Sequence, residues 1–142
     1  IWCLAMAEEL GYTTRQKLLV FLHDFPEAYT GDCPTPLKRL LPEFKVIEEK
    51  IETALYQRLG ITPPTYEEHL HIKRIDWTML ALEMRDLTLH DHTEYINAYT
   101  YDEIMEDEVF KIDEIGISEE DSMRMLKLIF KDLVWDYLLG EK

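Results

Sequence analysis

Phe44, Ile47, Ile51, Leu55 and Leu59 recur every three or four residues and stop at Gly60. That spacing draws one apolar stripe along an α-helix. It cannot line one face of a strand, whose side chains alternate. No other segment shows sustained alternation, a hairpin dipeptide or a strand-helix-strand rhythm, and no repeat is visible. The chain is therefore expected to fold as an all-α domain of about five to seven helices.

Punctuation residues divide the rest. Ile1 to Leu10 is apolar and meets Gly11, a residue suited to a helix C-terminal cap. Thr13 or Thr14 can open a second helix through Gln16 to Leu22, which Pro26 ends or kinks. Residues 30–36 are rich in turn formers and read as a loop. Thr65 with Glu68 fits a capping box for a helix reaching about Leu89, with a break near Leu70. Ser118 with Asp121 opens a last helix that stops at Gly140, with Met125, Leu128, Ile129 and Val134 as its core residues. Trp2, Trp77 and Trp135, at helical positions, are also read as core. Residues 90–117 are read as short helices and loops.

The 142 residues are a size suited to one domain. Lys and Arg number 15 against 29 Asp and Glu, a formal charge of −14. Such a chain lacks the cations that a general DNA- or RNA-binding surface needs, and an anionic membrane would repel it. An anionic substrate remains open if a local cation, such as a metal ion, receives it. No apolar run approaches the ~20 residues of a membrane span, and no signal peptide is visible. Cys3 and Cys33 are expected as reduced thiols in a cytoplasmic protein.

Phosphate loops, paired CxxC motifs and HExxH are absent. The one dense constellation is Leu22-His23-Asp24-Phe25-Pro26-Glu27-Ala28-Tyr29-Thr30-Gly31-Asp32-Cys33-Pro34-Thr35-Pro36-Leu37-Lys38. Imidazole plus carboxylate at His23 and Asp24 is a mixed nitrogen and oxygen donor pair, suited to Mn²⁺, Co²⁺, Fe²⁺ or Zn²⁺. If the helix continues, Glu27 projects to the side of both, where a carboxylate can orient a water or take its proton. Asp32 and Thr35 sit on a proline-stiffened loop, and Lys38 can attract an anion.

The string HD-x2-E-x4-D-x-PTP-x-K resembles the metal-binding core of the HD-domain phosphohydrolase superfamily. Within it, the string is most similar to bacterial 5′-deoxynucleotidases and their phage relatives. The likeness spans roughly residues 1 to 90. It implies an all-α bundle and one divalent ion (Mn, Co or Fe, with Zn or Mg as further options). Its ligands come in the order His, His-Asp, Asp. His23 and Asp24 match the middle pair. Asp76, in Ile72-Lys73-Arg74-Ile75-Asp76, matches the last; spacing alone would pair it with Lys73 or Arg74. The first His has no counterpart and is expected just upstream of Ile1, so residues 1–142 read as one domain truncated at its start.

By the same resemblance, Glu27 activates the attacking water and Asp32 contacts the sugar or the leaving group. Thr35 and Lys38 line the substrate side. The expected substrate is a nucleotide, most simply a deoxynucleoside 5′-monophosphate. A dNTP triphosphohydrolase, an alarmone phosphohydrolase and a non-catalytic HD module are the alternatives. Family members commonly form homodimers. Elsewhere, His69 and His71 read as helix-surface or joint residues, with extra ligands of a two-metal site as the alternative, and His90-Asp91-His92, a metal-like string, as imidazoles suited to a helix end. Glu83, Arg85 and Asp86 read as an ion-pair set, and the acidic run at residues 102–108 as a solvated face.

Overall fold

The computed structural model describes residues 2–87 and 118–140. The helices are α1 (Trp2–Glu9), α2 (Thr14–Leu22), α3 (Glu27–Thr30), α4 (Thr35–Lys38), α5 (Pro42–Leu59), α6 (Tyr66–Leu87) and α7 (Glu119–Gly140). No strand occurs among the described residues, so the all-α expectation holds. None of the described helices is long and apolar enough to cross a membrane. Residues 88–117 lie outside the described residues, and with them His90-Asp91-His92 and the acidic run.

Local chemistry sets most boundaries. At the start of α2, Thr13 donates its backbone N–H to Gln16 Oε1 (3.0 Å), and Gln16 donates its own to Thr13 Oγ1 (3.3 Å). This is a reciprocal capping box. Ser118 Oγ likewise accepts the Asp121 N–H at 3.1 Å ahead of α7. Gly60 ends α5 at φ 67° and ψ 28°, a left-handed cap that suits glycine.

Two expectations need correction. α6 runs from Tyr66 to Leu87 without a break at Leu70, since no Gly or Pro interrupts residues 66–87. Three presumed core residues are exposed instead: Trp77 at 38%, Leu128 at 55% and Trp135 at 62%. Tyr137 is the buried residue of α7.

The described chain divides into two compact units. One comprises the described parts of Ile1–Phe21 and Tyr66–Lys142. Met6, Ala7, Leu18, Leu19, Ile75 and Leu82 are buried there. Arg15 joins distant parts of this unit: it donates from Nε and Nη2 to the two Glu68 oxygens at 2.6 and 3.1 Å, and from Nη1 to Tyr137 Oη at 3.2 Å. Tyr12 Oη lies 3.1 Å from His71 Nδ1. Glu68 thus gives its carboxylate to Arg15, beyond any role in the cap read from Thr65. The predicted ion pair within α6 also forms, Arg85 gripping Asp86 at 2.6 and 2.9 Å.

The second unit, Leu22–Thr65, holds the motif residues 23–38 and the supporting helix α5. Leu22, Pro26, Cys33, Tyr56 and Ile61 are buried there. Cys33 and Cys3 are free thiols.

Candidate functional site

Pro26 shapes the site first. It has no N–H to donate to the Leu22 carbonyl, so α2 cannot continue. That carbonyl takes the Phe25 N–H instead, at 3.1 Å. Glu27 and Ala28 then donate to Asp24 and Phe25 carbonyls at 3.0 and 3.1 Å. Residues 23–26 are a string of tight turns, and the helix does not carry through to Glu27 as the spacing allowed.

This departure brings His23 and Asp24 together. Neighbours on an α-helix do not face each other. Beyond the end of α2 they do: His23 Nε2 is 3.0 Å from Asp24 Oδ1. The His23 side chain is 14% exposed and that of Asp24 65%. The carboxylate therefore sits in solvent, and its desolvation is not the cost that an adjoining buried run implies.

Glu27 opens α3 and is half-buried. Its carboxyl is held above the ordinary glutamate range, first by burial and then by the negative charges of Asp24 and Asp32. Lys38 opposes this shift, and Glu48 adds to it. Four groups of the motif thus share one electrostatic field.

Gly31 turns the chain from α3 towards Asp32. It stands at φ 74° and ψ 159°, a region essentially reserved for glycine. Nothing lies within 4 Å of where a Cβ would be, so the demand comes from the backbone alone. Gly31→Ala is expected to cost about 1–3 kcal/mol of stability in urea unfolding. An unchanged midpoint would show that the turn tolerates a side chain. Past this turn Asp32 is exposed, and Thr35, also exposed, begins α4.

Lys38 ends α4, and its raised pKa comes mainly from the hydrogen bond it gives Glu48. Nζ donates to Glu48 Oε1 at 2.9 Å and lies 5.6 Å from the centre of the Phe44 ring. Sequence reasoning did not single out Glu48. Its partner is ten residues away on another helix, and no short spacing rule spans that distance.

His23, Asp24, Glu27, Asp32, Thr35 and Lys38 all fall in the Leu22–Thr65 unit. Asp76 belongs to the other one, where it accepts a hydrogen bond from Lys73 at 3.3 Å. That is the ion pair its spacing permits. Among the described residues, no group of three or more His, Cys, Asp or Glu side chains is arranged to hold a metal ion. His23 and Asp24 fit a divalent cation in donor chemistry and supply two donors of the set it would need.

What these features have in common is one compact unit, Leu22–Thr65, that carries three motif carboxylates, one imidazole and one ammonium. Two curated proteins share sequence with the chain. It is 47% identical over 70 residues to the uncharacterized protein YfdR of Escherichia coli (strain K12), covering 49% of this chain and 38% of that protein. It is 40% identical over 55 residues to the 5′-deoxynucleotidase VV1113 of Vibrio vulnificus (strain YJ016), covering 38% of this chain and 28% of that one. The chain thus spans well under half the length of either relative. No protein-family model matches it, and no solved structure does.

Proposed function

We propose that this chain is a metal-dependent nucleotide phosphohydrolase of the HD type that removes phosphate from deoxynucleoside 5′-monophosphates. The observation that carries the reading is Glu27. It is a half-buried carboxyl held above its usual range beside Asp24 and Asp32, and it shares a compact unit with an imidazole and an ammonium. The partial similarity to a 5′-deoxynucleotidase agrees with it.

His23 and Asp24 would hold the divalent ion (Mn²⁺, Co²⁺ or Fe²⁺ by donor type), and the resemblance adds Asp76 to the ligands. A bound ion of this kind offsets phosphate charge and makes water more acidic. The residues do the rest. Glu27 takes a proton from the attacking water as its oxygen bonds to phosphorus. The bond from phosphorus to the 5′-oxygen breaks, and that oxygen leaves with a proton supplied from the Asp32 side. The Lys38 ammonium binds a non-bridging phosphate oxygen, and the Thr35 hydroxyl offers it a further donor. The products are a nucleoside and orthophosphate.

Product analysis tests this. The full-length protein is incubated with Mn²⁺ or Co²⁺ and a panel of dNMPs, NMPs and dNTPs, and products are separated by chromatography. Nucleoside plus orthophosphate from monophosphates is the expected result. Nucleoside plus triphosphate from a dNTP would make it a triphosphohydrolase. No turnover with any metal would leave a non-catalytic binding module.

A further inference from the structure

Three groups compete for the Lys38 ammonium. Glu48, on the 18-residue helix α5, accepts its hydrogen bond at 2.9 Å. The face of Phe44, one turn earlier on α5, lies 5.6 Å from it. Glu27 acts on it through space. The Glu48 side chain is 16% exposed and that of Lys38 32%, so solvent screens the pair less than it would an open surface pair.

We propose that Glu48, with Phe44 beside it, is a positioning residue for substrate binding: it fixes the Lys38 ammonium for the phosphate of a nucleotide and keeps it from closing onto Glu27. The inference rests on the phosphohydrolase reading. An ammonium has three N–H donors, and one bond to Glu48 leaves two for an incoming phosphate oxygen. The lysine stem is flexible. Released from α5, its charge would move towards the carboxylate nearest in the field, and Glu27 is one whose charge Lys38 already feels. A Lys38 paired with Glu27 would be lost to the phosphate and would make the base weaker.

A second effect has the opposite sign. The Glu48 carboxylate repels an anionic substrate, so removing it would tighten binding if charge were its whole contribution. The direction of KM therefore decides between the two. Glu48→Gln, Phe44→Leu, Lys38→Met and the double variant E48Q/K38M are compared with the parent in the full-length protein, using a deoxynucleoside monophosphate and Mn²⁺. Glu48→Gln is expected to raise KM by about tenfold to a hundredfold, and Phe44→Leu to raise it less. In the Lys38→Met background, Glu48→Gln should change KM by less than about twofold, since the residue it acts through is gone.

A substrate-free measurement accompanies the kinetics. The rate of amine acylation at Lys38, read by peptide mass spectrometry, should rise in Glu48→Gln. An unchanged or lower KM in Glu48→Gln overturns the inference, as does an equal loss in the Lys38→Met background or an unchanged acylation rate. In each case a parent that still releases phosphate leaves the phosphohydrolase reading standing. A parent without turnover overturns that reading, and the role of Glu48 in substrate binding falls with it.

Discussion

Glu27→Gln is expected, on the phosphohydrolase reading, to lower kcat by about 10²–10⁴-fold, the range a general base contributes. The amide keeps the size of the side chain and removes its ability to take a proton. The direction of the pH dependence follows from its surroundings. Burial, Asp24 and Asp32 hold the carboxyl above the ordinary glutamate range. A base works deprotonated, so on the phosphohydrolase reading activity in the parent is expected to rise with pH as Glu27 ionises. The residual activity of the variant should lack this rise.

Stability moves the other way. Folded Glu27 holds its proton more tightly than unfolded Glu27 does. Its stabilising contribution is present below the unfolded pKa and is lost as pH rises through the folded one. At neutral pH the ionised carboxylate therefore costs stability, and the amide relieves that cost. Thermal melts in a chelating buffer are expected to show Glu27→Gln at least as stable as the parent at neutral pH, with the advantage vanishing in acid. A variant that keeps turnover and melts lower would make Glu27 a structural acid.

How much of this was legible in the sequence depended on the range of the interaction. The pair Ser118–Asp121 closes over three residues and is legible in the sequence, whereas Thr13 is one of two candidate caps there and its pairing with Gln16 comes from the structure. Gly60 and the apolar stripe before it mark the end of α5 equally well. Pro26 showed that α2 would stop or kink near it. It did not show that the following turns would swing His23 against Asp24, because that depends on where the Leu22 carbonyl finds a donor.

Contacts of long range were out of reach. Arg15 meets Glu68 and Tyr137 from far along the chain, and Lys38 meets Glu48 across two helices. Helical spacing sorts residues into stripes without saying which stripe a neighbour covers. For that reason Trp135 and Leu128 were assigned to the core while Tyr137 was not. Asp76 shows the same limit from the other side. The spacing to Lys73 anticipated the ion pair that forms, whereas its proposed ligand role comes from the resemblance.

Asp24→Asn separates function from structure most sharply. The side chain is 65% exposed, and it pairs with the adjoining His23. Pairs so open to solvent contribute about 0–1 kcal/mol, so the variant should unfold within about 0.5 kcal/mol of the parent. If Asp24 is a ligand, its effect on metal binding is far larger. Partners that only orient a ligand cost about 10–100-fold in metal affinity when removed, and a direct donor should cost at least that. The expected outcome is a variant with the parent's urea midpoint, Mn²⁺ affinity weakened by about 100-fold or more in calorimetric titration, and phosphate release reduced in step. His23→Ala should weaken the metal similarly. Its side chain is 14% exposed, so truncating it also removes packing and costs some stability. Asp24→Asn with the parent's Mn²⁺ affinity would remove the His23–Asp24 pair from the metal site. Equal stability and undiminished turnover would reduce it to an ion pair at the end of α2.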